Sequence, residues 1–234
     1  MDYTKQVKQL AIEKGANLFG IADLNYFRGK LPVIPENLLN SFKYGVSFAI
    51  KLNYEIIEHV KDKPTPEYAN HYLEVNGLLN KISGEIVKWI QDQEYKAVNI
   101  LASELKDEDR LMGSISHKAV ARMAGIGWQG KSLLIINPEI GPRLRLATIL
   151  TDMPLTSDTP LPNQCDKCKA CVVFCPAKAI KNVSTDSNYE STEIAVDLHK
   201  CDEKLYEFAR LSGVGVRICG VCVKVCPYGM KSNK

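Results

Sequence analysis

Every cysteine of the chain lies in one stretch: residues 1–164 hold none, and all eight fall between Cys165 and Cys226. The densest part reads CDKCKACVVFCP over 165–176, four thiols closed by a proline. Sulfurs so crowded tie the fold of this region to whatever they bind. The first question is which of them share a site.

The run CxxCxxCxxxCP is the spacing of bacterial-type ferredoxins, in which three cysteines hold one 4Fe-4S cluster and the fourth holds another. Three thiolates at three-residue spacing wrap one face of a cubane in a tight loop. The fourth is carried away as a helix starts, and the proline fixes the chain direction after it. Cys165, Cys168 and Cys171 then need one distant partner, and Cys175 needs three. Downstream stand Cys201 and CGVCVKVCP, which contributes Cys219, Cys222 and Cys226. By pseudo-symmetry Cys226 completes the first set, and Cys175 joins Cys201, Cys219 and Cys222 in the second, with no thiol left over. Paired CxxC elements also build structural zinc sites. A three-cysteine run with two CP endings favours the two clusters.

The N-terminus has no short apolar segment with a small-residue cleavage site, and no uncharged apolar run reaches the ~18 residues of a membrane span. The expectation is a cytoplasmic protein with no membrane partner, where close thiols are ligands rather than disulfides. With 45% hydrophobic residues in 234, the chain has material for one or two globular domains. Thirty basic residues against 27 acidic ones leave a net charge of +3, and no basic stripe points to nucleic acid.

The cysteine-free part alternates helical and strand-like patterns. Residues 3–14 put Val7, Leu10 and Ala11 on one helical face, with Gly15 as the stop. Thr65-Pro66-Glu67 opens a long helix whose stripe runs Tyr68, Tyr72, Val75, Leu79, Ile82, Ile86, Trp89. Strands are expected at ANLFGIAD, GVSFAIKLN (45–53), YKAVNILAS (95–103), SLLIINP (132–138) and LRLATILTD (144–152), the last two as a hairpin. PLTSDTPLPNQ (154–164) reads as a linker. The pattern implies an α+β layered domain over 1–160 and a ferredoxin-like domain over 161–234.

Before the 132–138 strand lies AGIGWQGK, with Gly125, Gly127, Trp128, Gly130 and Lys131. Its helix, glycine turn, strand order is the reverse of a dinucleotide fingerprint, which excludes NAD binding through it. Its glycines either let backbone N–H groups approach an anionic ligand, with Lys131 meeting a phosphate or carboxylate, or form a tight structural turn. Arg143 and Arg145 in GPRLR either bind such an anion or lie together on one face of a strand. His117 stands close enough to the turn to protonate a substrate or contact a cofactor, or is a packed helical histidine.

Together, AGIGWQGKSLLI, GPRLRLATILTDMPL, CDKCKACVVFCPAKAI and CGVCVKVCPYG resemble the epoxyqueuosine reductase family of iron-sulfur proteins, related to the reductive dehalogenases. The resemblance covers most of the chain. It implies a nitroreductase-related N-terminal domain that binds cobalamin, with FMN as the weaker alternative, and two 4Fe-4S clusters that feed the cobalt. It further implies that Gly125, Gly127, Trp128, Gly130 and Lys131 border the cobalamin, with Arg143 nearby. The family's proton-donating Asp falls at Leu111 here, which leaves Asp109 or His117 as the acid. The implied protein is an anaerobic-type reductase of an unidentified substrate, fed by a ferredoxin or flavodoxin, with a small-molecule or protein acceptor. The alternative is an electron-transfer protein serving a partner redox or corrinoid enzyme. Because the chain stops eight residues after Cys226, short of the family's tRNA-holding helical repeats, tRNA is an unlikely partner on this reading.

Overall fold

The computed structural model describes residues 2–184 and 192–230. In chain order the elements are α1 (Tyr3–Glu13), β1 (Leu18–Asp23), β2 (Tyr44–Lys51), α2 (Tyr54–Glu58), α3 (Pro66–Asp92), β3 (Ala97–Ile100) and α4 (His117–Met123). Then come β4 (Trp128–Gln129), β5 (Ile135–Ile136), β6 (Leu144–Thr151), α5 (Ala170–Phe174), α6 (Leu198–Ala209) and α7 (Val221–Lys224). The chain divides into two compact units, neither continuous in sequence. A sheet unit takes 1–50, 76–127 and 145–161; a cysteine unit takes 51–75, 128–144 and 162–234.

The sheet unit is built on a four-stranded sheet in the order β1-β2-β6-β3. β1 pairs antiparallel with β2, Leu18 opposite Ala49 and Asp23 opposite Tyr44. β3 pairs antiparallel with β6, Ala97 opposite Thr151. β2 reads YGVSFAIK and is buried from Gly45 to Ile50, on both faces of the pleat, as a central strand should be. α1 forms where expected: Asp2 caps it by accepting the Lys5 N–H, and Val7 and Ala11 are buried. Along α3, Leu79, Ile82, Ile86 and Ile90 are buried. The true stripe therefore ends on Ile90, and Trp89 is rotated half out of it. β1 approaches the end of α4 so closely that a Cβ on Gly20 would stand 1.9 Å from the Ala124 carbonyl oxygen. Glycine is required there.

Two expectations fail. Residues 132–138 do not pair with β6; their only strand, β5, pairs with β4, Trp128 opposite Ile136. Leu133 takes φ +60° inside a tight turn closed by Gly130 and Leu134, and Asn137 and Gly141 exchange both backbone hydrogen bonds. Each turn closes locally, which frees β6 for the larger sheet. Nor is 154–164 a free linker. Asp158 extends β1 by accepting the Ile21 N–H at 2.8 Å and returning its own N–H to the Ile21 carbonyl, also at 2.8 Å.

In the cysteine unit α5, α6 and α7 are short, and a small core of Leu133, Cys175, Ala179, Ile180, Ala195 and Val196 packs against Cys171, Cys201 and Cys222. Among the described residues no helix is long and apolar enough to cross a membrane.

Candidate metal centre

None of the eight cysteines is in a disulfide. Their electrostatic neighbours sort them. Burial pushes the Cys226 thiol up to about 11, and Cys165 and Cys168 push it further. Burial does the same to Cys171, again with Cys165 and Cys168 as the acidic neighbours. Cys219 is raised to about 11 by burial and then by Cys201 and Cys175. Cys222 is raised well above the ordinary thiol value, by burial first and then by Cys219, Cys201, Cys171 and Cys175. The structure thus brings Cys226 to Cys165, Cys168 and Cys171, and brings Cys175, Cys201, Cys219 and Cys222 together. Cys171 and Cys222 are where the two groups abut.

A pocket is lined by Cys165, Cys168, Cys171, Cys222 and Cys226, with Gly130 and Lys131. Among the described residues no three Cys, His, Asp or Glu side chains are placed to hold a single metal ion. Two sets of four thiolates suit clusters in which each thiolate ligates a different iron. The chemistry of the donor set fits two clusters.

The glycine-rich segment serves this centre. Lys131 is buried, and its ammonium donates to the carbonyls of Asp166 (2.8 Å) and Cys168 (3.0 Å) and to Asn182 Oδ1 (3.1 Å). All three donors are used. The expectation that Lys131 meets a cofactor phosphate is corrected: it clamps the first cysteine loop. Gly130 makes room for that loop, since a Cβ there would lie 2.9 Å from the Ile136 side chain and 3.4 Å from Cys165 Sγ. Trp128 is fully buried and packs edge-on against Tyr228, ring centroids 4.8 Å apart.

Arg143 is likewise corrected. It lies before β6 rather than on it, 1% exposed, and does not share a strand face with Arg145. Its guanidinium donates to the carbonyls of Tyr228 (2.7 Å), Lys224 (2.9 Å) and Cys226 (3.4 Å), and stands 3.8 Å from Glu58. Arg143 therefore clamps the loop around Cys226, as Lys131 clamps the loop around Cys168. No sequence signal marked Asn182 or Glu58 as members of this region. Tyr228, directly after the second CP, was visible as part of CPYG.

The remaining candidates sit in the sheet unit. Gly125 ends α4 with φ +67°, and Gly127 is buried two residues on. His117 Nδ1 pairs with Thr148 Oγ1 at 2.8 Å and Nε2 with the Leu101 carbonyl at 3.1 Å. Since a carbonyl only accepts, Nε2 carries the proton and the Thr148 hydroxyl donates to Nδ1. Burial holds this histidine down to about 4. It is a neutral, packed residue with neither ring nitrogen free. Arg145 bonds Asn76 Oδ1 (3.0 Å) and Ser103 Oγ (2.7 Å). Asp109 is exposed on the turn bridged by Asp107 and Met112, and Leu111 takes φ +51° within that turn.

Residues 164–229 match the family model of a 4Fe-4S double cluster binding domain. The epoxyqueuosine reductase of Leadbetterella byssophila is 25% identical over 97% of this chain and 80% of its own length. The chain is similar to epoxyqueuosine reductases over nearly its whole length. The Vibrio cholerae reductase is 36% identical over 49% of this chain, and that of Bacillus anthracis 30% identical over 68%. The chain spans 31% and 38% of those two relatives, about a third of their length.

Solved structures agree on the fold. A reductive dehalogenase described as B12-dependent superposes with a TM-score of 0.77 at 22% identity, covering 97% of this chain and 32% of its own. An epoxyqueuosine reductase bound to an epoxyqueuosine-modified tRNA-Tyr stem loop superposes at 0.64 and 21% identity, covering 97% of this chain and 65% of its own. The expectation that tRNA is an unlikely partner is contradicted by the epoxyqueuosine reductases among the relatives, one of them solved with a modified tRNA stem loop. Net charge was a poor guide, because binding of a folded nucleic acid depends on local charge that a chain-wide sum averages away. FMN finds no support among the relatives.

Proposed function

We propose that the chain is an iron-sulfur oxidoreductase that reduces epoxyqueuosine in tRNA, through one cluster on Cys165, Cys168, Cys171 and Cys226 and another on Cys175, Cys201, Cys219 and Cys222. The observation that carries this reading is the sorting of eight thiols into two abutting sets within one compact unit. The family relationship supplies the substrate.

On this reading the chain's own residues hold and insulate the redox centres. Lys131 and Arg143 fix the two cysteine loops by their carbonyls, and the apolar core around Cys175 keeps water from the second set. Cobalamin, if it is the electron acceptor here as in the B12-dependent dehalogenase, would supply the bond-breaking chemistry. Of the six residues expected to border it, Trp128, Gly130, Lys131 and Arg143 are committed to the cysteine unit, which leaves Gly125 and Gly127.

Reduction consumes protons as well as electrons, and Asp109, beside Glu108, is an exposed carboxyl on the 107–112 turn. In the Bacillus subtilis epoxyqueuosine reductase an aspartate-bearing catalytic loop was caught swung out of the active site. A donor on a movable turn reaches its target only in the closed state.

The test is anaerobic reconstitution with iron and sulfide, followed by assay on an epoxyqueuosine-bearing tRNA stem loop with and without added cobalamin. About eight irons per chain and cobalamin-dependent loss of the epoxide are expected. Asp109→Asn should then slow turnover by roughly 10²-fold or more at unchanged iron content. Full iron with no activity under either condition returns the chain to an electron-transfer role.

A further inference from the structure

Among the described residues only two cations are buried, Lys131 and Arg143, and both stand against the same set of cysteines. Lys131 donates to the Cys168 carbonyl and lines the cavity with Cys165, Cys168 and Cys171. Arg143 donates to the Cys226 carbonyl. Its neighbour Glu58 is shared with Lys224, each cation 3.8 Å from that carboxylate, so two positive charges face one negative charge there. With Lys131 added, the surroundings of this set carry a surplus of positive charge.

The cations beside the other set are exposed. Arg217 pairs with Asp202 at 3.3 Å, Lys200 stands 3.3 Å from Asp197 with Lys181 also facing that carboxylate, and Lys178 donates to the Val173 carbonyl. Hydrogen bonds to sulfur do not separate the two sets, with two in each. The Tyr228 amide reaches Cys226 and the Cys171 amide its own sulfur in one, while the Val221 and Ala179 amides reach Cys219 and Cys175 in the other. Charge and burial are the remaining levers on a cluster's potential. Arginine keeps its proton at any accessible pH, and Lys131 offers three donors to three acceptors, which requires the ammonium form.

We propose that Lys131 and Arg143 make the cluster on Cys165, Cys168, Cys171 and Cys226 the higher-potential of the two, so that electrons entering the chain collect there. A cluster that gains an electron becomes one unit more negative, and a buried cation a few ångströms away stabilises that state far more than an exposed one does. The step is a single-electron transfer from the reduced cluster on Cys175, Cys201, Cys219 and Cys222 to the oxidised one. No bond breaks and no proton moves. The reductant is a one-electron donor from outside the chain, such as dithionite in the test.

The inference rests on the cluster assignment above, so the experiment separates the two. The reconstituted full chain is titrated with dithionite and followed by EPR, and Cys226→Ser marks its own cluster by a changed signal. Eight irons and two signals satisfy the assignment; fewer than two clusters would defeat the assignment rather than the tuning. Given two clusters, the one marked by Cys226→Ser should reduce first in the unsubstituted protein. Lys131→Gln, which keeps hydrogen-bonding capacity without charge, should make that cluster at least tenfold harder to reduce, ~59 mV for one electron. The other cluster should hold within a few mV, and Lys131→Arg should restore the original value. If the Cys226-marked cluster is the last to reduce, or if Lys131→Gln moves both clusters equally or neither, the proposal is overturned.

Discussion

The two compact units are held together by different means. The sheet unit relies on apolar packing: β2 and the helical stripe Leu79, Ile82, Ile86 and Ile90 are buried without any ion. The cysteine unit has short helices and a two-stranded hairpin, and much of its polar interior is buried cation against backbone carbonyl. A unit of that kind gains its remaining cohesion from the metal it binds, because a site absent from the unfolded chain converts binding energy into folding energy. The lesson is that the unit poorest in regular structure is the one whose fold and chemistry depend on each other.

Withholding iron should give the largest effect. Without clusters, amides in 162–184 and 192–230 are expected to lose most of their hydrogen-exchange protection, while β1, β2 and β6 keep theirs. Equal loss in both units would break the comparison. Next comes a pair of substitutions. Lys131→Met removes a buried ammonium that ties three part-buried oxygens together, at ~1–3 kcal/mol in all, and should lower iron occupancy with it. Gly20→Ala forces a methyl group against the Ala124 carbonyl, at ~1–3 kcal/mol, and should leave iron occupancy unchanged. Unfolding curves together with iron analysis of the two variants show whether damage stays within its unit.

The parts legible in the sequence were those governed by short-range spacing. The number and spacing of sulfurs point to clusters because an iron-sulfur cubane sets the loop between its ligands. α1 and α3 were readable because a 3.6-residue period marks a buried face, although it left Trp89 and Ile90 undecided. The expected hairpin was not readable: an apolar run such as SLLIINP gives no sign that Leu133 adopts a positive φ and folds the run on itself. Lys131 and Arg143 were singled out but misassigned. Their partners are main-chain carbonyls of Asp166, Cys168, Lys224, Cys226 and Tyr228, and a carbonyl carries no residue identity for a pattern to detect.

The smallest expected effect tests the sheet unit alone. His117 is held down to about 4 by burial, against an ordinary value of 6.5, so in the folded chain it stays neutral where the unfolded chain would protonate it. Between those two values the unfolded state binds more protons, and stability falls as pH falls. The ring keeps its bonds to Thr148 and Leu101 until it protonates near pH 4, while the stability it contributes is fully present above pH ~6.5 and falls progressively toward pH ~4 as the unfolded chain gains the proton. His117→Gln has no group that titrates in this range. Unfolding by urea at pH 7 and pH 5 should therefore cost the unsubstituted protein ~2 kcal/mol more than the variant. Because Thr148 belongs to β6 and Leu101 follows β3, the loss should appear in those strands, with iron content unchanged. An equal pH dependence in both proteins would show that His117 is already protonated in the fold, and would return it to the list of candidate acids.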